Sequence, residues 1–256
     1  MSLAPWLMPS WTTPRVGGVM STREGGFSAA PWNELNLGDH VGDDPDAVAA
    51  NRSLFKARLG ASPVYLKQVH GTRLVCVGSS DVSPGATVQE ADASLTTEPG
   101  IACTVLVADC LPVLMAAPGA RAVAAAHAGW RGLASGILEA TVAGLCEAAA
   151  CDPSRLQAWF GACIGAQRFE VGADVLLAFG ASPERPDPER FRKIPSRDGT
   201  SKWLANLPLL ARDRLGRLGV ADVTGDDLCT VDDASRFFSF RRDGITGRMA
   251  AAVWIR

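Results

Sequence analysis

Three side chains suited to metal binding or proton transfer each end or follow an apolar run. His70 closes VYLKQVH, Cys110 follows IACTVLVAD, and His127 ends RAVAAAH. Glycine or proline turns the chain within two residues of each, at Gly71, Pro112 and Gly129. In sheets covered by helices, ligand sites collect at strand ends and in the loops that leave them. Two imidazoles and a thiolate delivered there would hold one transition-metal ion with the fourth position open. Such an ion lowers the pKa of a bound water and keeps the cysteine deprotonated. The separations in sequence match no local metal motif, so convergence is an inference from placement. The same atoms support two further readings. His70 and His127 are then satisfied core or turn residues and Cys110 a small hydrophobe. Alternatively, Cys110 is a thiolate nucleophile, His70 or His127 its base and Asp109 the orienting carboxylate. The residues alone leave all three open.

Arginines beside glycines suggest an anion site. Arg131 stands in GWRG, just before a helix predicted to start near Leu133, and a guanidinium at a helix start suits phosphate. Arg242 and Arg248, near Gly244 and Gly247, are the second candidates, while a solvated turn is the other fate of Arg241 or Arg242. GACIG (161–165) either presents backbone N–H groups or makes a tight turn. Neither half of the H-x-E…P-C-x-x-C deaminase signature occurs, nor does a Walker A loop or a GxGxxG fingerprint.

The elements that must position these groups follow from apolar patterning. IACTVLVA, LPVLMAA and RAVAAA read as buried strands, and VYLKQVH with RLVCV as a hairpin around His70. Asp44-Pro45 opens a capped helix that Gly60 closes. LASGILEATVAGLCEAAA, EVGADVLLAFG after Gly172, and KWLANLPLLARDRLGRLGV read as helices. LQAWFGACIG is a further apolar run. The tail from Cys229 holds two strand-like runs and ends in a buried strand. Residues 182–200, with Pro183, Pro186, Pro188 and Pro195, read as a mobile loop or lid. Strands and helices mix without strict alternation and no linker divides the chain, which predicts one α/β domain over residues 1–256 with mixed sheets.

Composition narrows the class. The 256 residues are 47% hydrophobic and carry a net charge of −2, ample for a core and without the electrostatic footprint of a nucleic-acid or membrane binder. No run of 18 apolar residues and no signal peptide is visible. Seven cysteines form no CxxC pair, and Cys103, Cys146 and Cys151 read as reduced packing residues, which points to the cytoplasm. The sequon at Asn51 carries no weight without secretion.

STREGGFS, LNLGDHVGDDPDAVAANR, LKQVHG, VADCLPVL, AAAHAGWRG, GACIG with FEVG, and CTVDD with FFSFRRDG and TGRMAAAVWI occur in this order. Together they resemble the YfiH-like laccase-domain family, historically labelled multicopper polyphenol oxidases, over nearly the whole chain. The resemblance implies a four-layer α/β/β/α fold with mixed β-sheets, similar to that of certain toxin cysteine hydrolases. It implies a catalytic metal site at His70, Cys110 and His127, holding zinc, or Cu2+ in the oxidase labelling. It implies purine nucleoside phosphorolysis of adenosine, inosine and methylthioadenosine, with adenosine deamination and a peptidoglycan-editing label besides. The partners implied are a purine nucleoside and phosphate, and we expect a monomer or weak homo-oligomer. Arg131, Arg242 and Arg248 are the phosphate candidates, and Asp109 is a candidate to orient a metal-bound histidine or hold the purine. Asn206 stands where an aspartate is expected, which places any carboxylate role there in doubt. With three histidines in all, the chain cannot furnish the ligands of a multicopper oxidase.

Overall fold

The computed structural model describes residues 6–195, 200–225 and 227–256. In chain order the elements are β1 (Val16–Met20), α1 (Pro45–Leu59), β2 (Ser62–Val64), β3 (Leu74–Cys76), β4 (Ala93–Thr96), β5 (Ile101–Val107), β6 (Leu111–Ala116) and β7 (Val123–Ala128). There follow α2 (Trp130–Ser135), α3 (Ile137–Ala149), β8 (Gln157–Phe160), β9 (Glu170–Val171), α4 (Ala173–Ala178), β10 (Phe191–Ile194) and β11 (Lys202–Ala205). The last are α5 (Leu207–Arg217), β12 (Asp222–Gly225), α6 (Phe240–Asp243) and β13 (Met249–Ile255). Two mixed sheets dominate. One has four strands in the order β1-β13-β5-β2, the other six in the order β12-β8-β6-β7-β4-β3, and β10-β11-β9 form a small antiparallel sheet.

Alternation along the strands builds the layers, because successive side chains of a strand point to opposite faces. From β5, Ile101, Cys103, Val105 and Val107 join Leu114 and Ala116 of β6 and Val123 and Ala125 of β7 in a core between the two large sheets. Ala102 and Leu106 face the other way, packing with Phe55 and Leu59 of α1. Val113 and Met115 of β6 and Ala124 and Ala126 of β7 pack against Leu138, Val142 and Leu145 of α3 and Leu210 of α5. The result is α1, the four-stranded sheet, the six-stranded sheet and the remaining helices, the expected α/β/β/α order. Strands buried on both faces read as continuous apolar runs, and so they do here.

Local departures have local causes. The segments flanking His70 form no hairpin. β2 pairs in parallel with β5 and β3 in parallel with β4, in different sheets. The expected helix over Leu133–Ala150 divides at Gly136, whose φ of 106 ends α2 before α3 begins. Lys202–Ala205 is a strand rather than a first helical turn, with Trp203 and Ala205 buried on one face. Asn206 then caps α5, accepting from the Leu209 N–H at 3.1 Å, with Pro208 in its first turn. Within the segment read as a loop, Phe191–Ile194 forms β10 on β11, and residues 196–199 lie outside those described. Phe237 and Phe238 are fully buried outside any strand. Asn51 is buried and hydrogen-bonded to Ser28, Glu34 and Asn36, so the sequon is closed to modification. No helix among the described residues is long and apolar enough to cross a membrane.

Candidate metal centre and its cavity

His70, Cys110 and His127 come together as their placement predicts. One ligand-type atom from each lies within 4.8 Å of the others, with His70 Nε2 3.6 Å from Cys110 Sγ. The two imidazoles meet edge to face, with ring centroids 4.8 Å apart. His127 shares the parity of Val123 and Ala125 along β7, so its ring enters the space between the two large sheets. Cys110 leads into β6, whose Pro112 is the register partner of His127. Gly129 lets these groups approach. A Cβ there would stand 2.7 Å from His70 Cδ2 and 2.9 Å from Cys110 Sγ.

The residue that organises the site is one the sequence reading passed over. Asp92 is fully buried at the head of β4. Its Oδ1 accepts from His127 Nδ1 at 2.8 Å and from the His70 N–H at 2.9 Å. Its Oδ2 accepts from the N–H groups of Val69 and Gly71 at 3.1 and 2.7 Å. One carboxylate therefore fixes the His127 ring, leaves its Nε2 for the cluster, and holds His70 in the left-handed region at φ 58. A carboxylate behind a ligating histidine is the usual means of setting its tautomer. The available signal was an aspartate opening the apolar segment ADASL.

Electrostatics within the cluster separate charge. Burial pushes the Cys110 thiol up, but the His127 charge and hydrogen bonds from both imidazoles outweigh it and bring it down to about 6. Burial pulls His127 down, while the Cys110 thiolate and Asp92 raise it to about 9. Burial would raise Asp92, yet its bonds to His127 and the loop amides hold it below the usual carboxylate range. A preformed thiolate, two imidazoles, of which His127 gives up a proton on binding metal, and a hydrogen-bonded carboxylate behind one of them match the donor set of a three-ligand zinc site.

The remaining candidates divide. Asp109 does not orient a histidine. Its Oδ1 accepts from Thr230 Oγ1 and its Oδ2 from the Arg241 N–H, both at 2.6 Å. These bonds hold its strained backbone, at φ 100, directly before Cys110. Arg242 spends its guanidinium on the carbonyls of Thr230, Val231 and Phe237 and on Asp243, away from the cavity. Arg248 faces the cavity. Its Nη1 donates to the carbonyls of Thr246 and Gly247, and its Nε and Nη2 have no partner among the described residues. Burial lowers its pKa against the raising pull of Cys110 and Asp109. Arg131 also reaches the cavity, stacked over Trp130 with 4.4 Å from Cζ to the ring centroid.

The cluster forms one wall of a cavity of about 510 Å3. Aromatic faces from Trp130, Phe169 and Phe240 line it, together with His40, which the sequence reading left unplaced. A larger cleft of about 790 Å3, around Trp6 and Trp254, has no histidine, cysteine, aspartate or glutamate in its lining. Chemistry therefore belongs to the smaller cavity, whose size is usual for a small-molecule site.

A family model described as multi-copper polyphenol oxidoreductase laccase matches residues 18–256. The chain belongs to this laccase family. It is 45% identical over 252 residues, covering 98% of each chain, to a Pseudomonas aeruginosa protein named as a purine nucleoside phosphorylase. It is 42% identical to the purine nucleoside phosphorylase YfiH of Escherichia coli, covering 97% of this chain and 98% of that one. Among solved structures, the Neisseria meningitidis protein NMB0706 superposes with a TM-score of 0.86 at 42% identity over 98% of both chains. YlmD from Geobacillus stearothermophilus superposes with a TM-score of 0.87 at 31% identity, over 98% of this chain and 96% of that one.

Proposed function

We propose that this laccase-family chain is a cytoplasmic purine nucleoside phosphorylase with adenosine deaminase activity, acting on adenosine, inosine and methylthioadenosine. His70, Cys110 and His127 hold zinc, with Cu2+ as the alternative ion. The observation that carries the reading is the joining, in one cavity, of a three-ligand cluster, aromatic walls and a half-buried arginine with donors to spare. Relatives named as purine nucleoside phosphorylases support it. Bound zinc would supply a Lewis acid, able to activate water for deamination and to neutralise phosphate charge in phosphorolysis.

The chain's own residues supply the rest. Phosphorolysis needs an anion site and stabilisation of a cationic ribosyl transition state. Arg248 offers two free donor positions to phosphate, and Arg131 adds a second guanidinium at the same cavity. Phe169 and Phe240 offer faces for a purine ring. Asp92 keeps His127 in one orientation for the metal. Purified protein incubated with adenosine and phosphate should yield adenine with ribose 1-phosphate, and inosine from deamination. If neither exceeds a His127→Ala control, the reading fails.

One observation favours a second reading. Cys110, His127 and Asp92 have the thiolate, base and orienting carboxylate of a metal-free cysteine hydrolase, of use in peptidoglycan precursor editing. Under that reading a chelator leaves turnover intact and Cys110→Ser abolishes it. Under the zinc reading the chelator abolishes it as well.

A further inference from the structure

The chain has three histidines, and all three line the same cavity. We propose that the third, His40, is the general acid that protonates the departing purine; this assignment rests on the phosphorylase reading. The loop that carries it is built from within. Asn36, fully buried, accepts through Oδ1 from the N–H groups of Gly38 and Arg248 at 2.9 and 2.8 Å and donates to the Gly38 carbonyl. Arg52 donates to the Leu37 carbonyl at 3.0 Å and pairs with Asp39 at 3.1 Å. Asp39 in turn lies 3.5 Å from His40 Nδ1. The other ring nitrogen, Nε2, has no partner among the described residues. The loop thus sets an imidazole at the mouth of the cavity, and the same buried asparagine ties it to the phosphate candidate Arg248.

Elimination among the lining residues points the same way. Purine departure from C1′ leaves negative charge on the ring, and a proton delivered to N7 neutralises it. Arginine side chains do not release protons at working pH. Both Asp109 oxygens already accept hydrogen bonds. His70, Cys110 and His127 are committed to the cluster. His40 is the remaining lining group that can give and regain a proton. With 59% of its side chain exposed, it can also be reprotonated from solvent.

The step balances. The C1′–N9 bond breaks with its electron pair moving into the purine, and N7 takes the His40 proton. A hydrogen phosphate oxygen forms the new bond to C1′. The phosphate's own proton, released to solvent, matches the one that His40 takes back.

The test compares inosine with a ribonucleoside whose leaving group needs no proton, 7-methylguanosine or, equivalently, 4-nitrophenyl β-ribofuranoside. His40→Gln and His40→Ala should lower kcat on inosine about 100-fold or more. Turnover of the activated substrate should stay within about threefold, with the wild-type melting temperature retained. Equal losses on both substrates, or no loss on inosine, would overturn the assignment while leaving the phosphorylase reading in place. Wild-type protein that releases no ribose 1-phosphate from either substrate would overturn both.

Discussion

Replacing Asp92 by asparagine removes one charge and one acceptor from the most connected side chain in the site. The aspartate accepts four hydrogen bonds, two on each oxygen. An asparagine keeps one oxygen, so two of the four donors must lose their acceptor in either amide orientation. Each buried donor left unmet costs about 1–3 kcal/mol, so Asp92→Asn should destabilise the protein by about 2–6 kcal/mol. For a chain of this size that lowers Tm by roughly 4–24 °C. If the amide nitrogen turns toward His127, the imidazole relieves the clash by moving its proton from Nδ1 to Nε2, the nitrogen facing the cluster. Zinc affinity should then fall by about 10–100-fold or more. Thermal unfolding of the metal-free proteins and calorimetric zinc titration measure the two effects separately. Wild-type Tm together with wild-type zinc affinity in Asp92→Asn would refute the assignment of Asp92 as the organiser of the site.

Further outcomes follow from the same geometry. In metal-free protein, thiolate absorbance near 240 nm should appear with a midpoint near pH 6, and His127→Ala should move that midpoint upward toward the ordinary thiol value. The sign is set by both shifts. The lowered Cys110 pKa contributes stability that is lost as pH falls through about 6, and the raised His127 pKa contributes stability that is lost as pH rises through about 9. The ion pair therefore persists between those limits, and a midpoint unchanged in His127→Ala would refute it. Arg248→Ala should raise KM for phosphate about 10-fold or more, whereas Arg242→Ala should lower Tm and leave that KM within about twofold, since its donors serve carbonyls and Asp243. Steady-state kinetics at varied phosphate, paired with melting curves, separates the two arginines. Asn206→Asp should keep activity and change stability by less than about 1 kcal/mol, because Asn206 serves as a helix cap and aspartate caps equally well. A loss of activity on that substitution would show that the position has a second task.

Fold and ligand trio were readable for the same reason. Strands buried on both faces leave long apolar runs, and a histidine or cysteine at the end of such a run marks where a buried strand meets a cavity. Asp92 escaped notice because its importance lies in capturing three amides of the His70 loop, a relation between segments that no local pattern carries. β2 and β3 pair in different sheets, so what reads as a hairpin crosses between them. Asp109 drew attention by adjacency to Cys110, but its carboxylate points to Thr230 and the Arg241 amide. Arg242 and Arg248 looked alike in sequence and differ through what surrounds them. One is saturated by carbonyls, and the other has free donors in the cavity. His40 lay in a polar loop with no apolar run to mark it, and only the Asn36 network brings it to the site.

Zinc titration of metal-free protein, read as phosphate-dependent release of ribose 1-phosphate from inosine, tests the central claim most directly. Activity should rise linearly and level off at about one zinc per chain, the number the His70–Cys110–His127 cluster can hold. The same titration of His70→Ala should stay flat. Ribose 1-phosphate release that is independent of zinc, or no release at saturating zinc, would contradict the account.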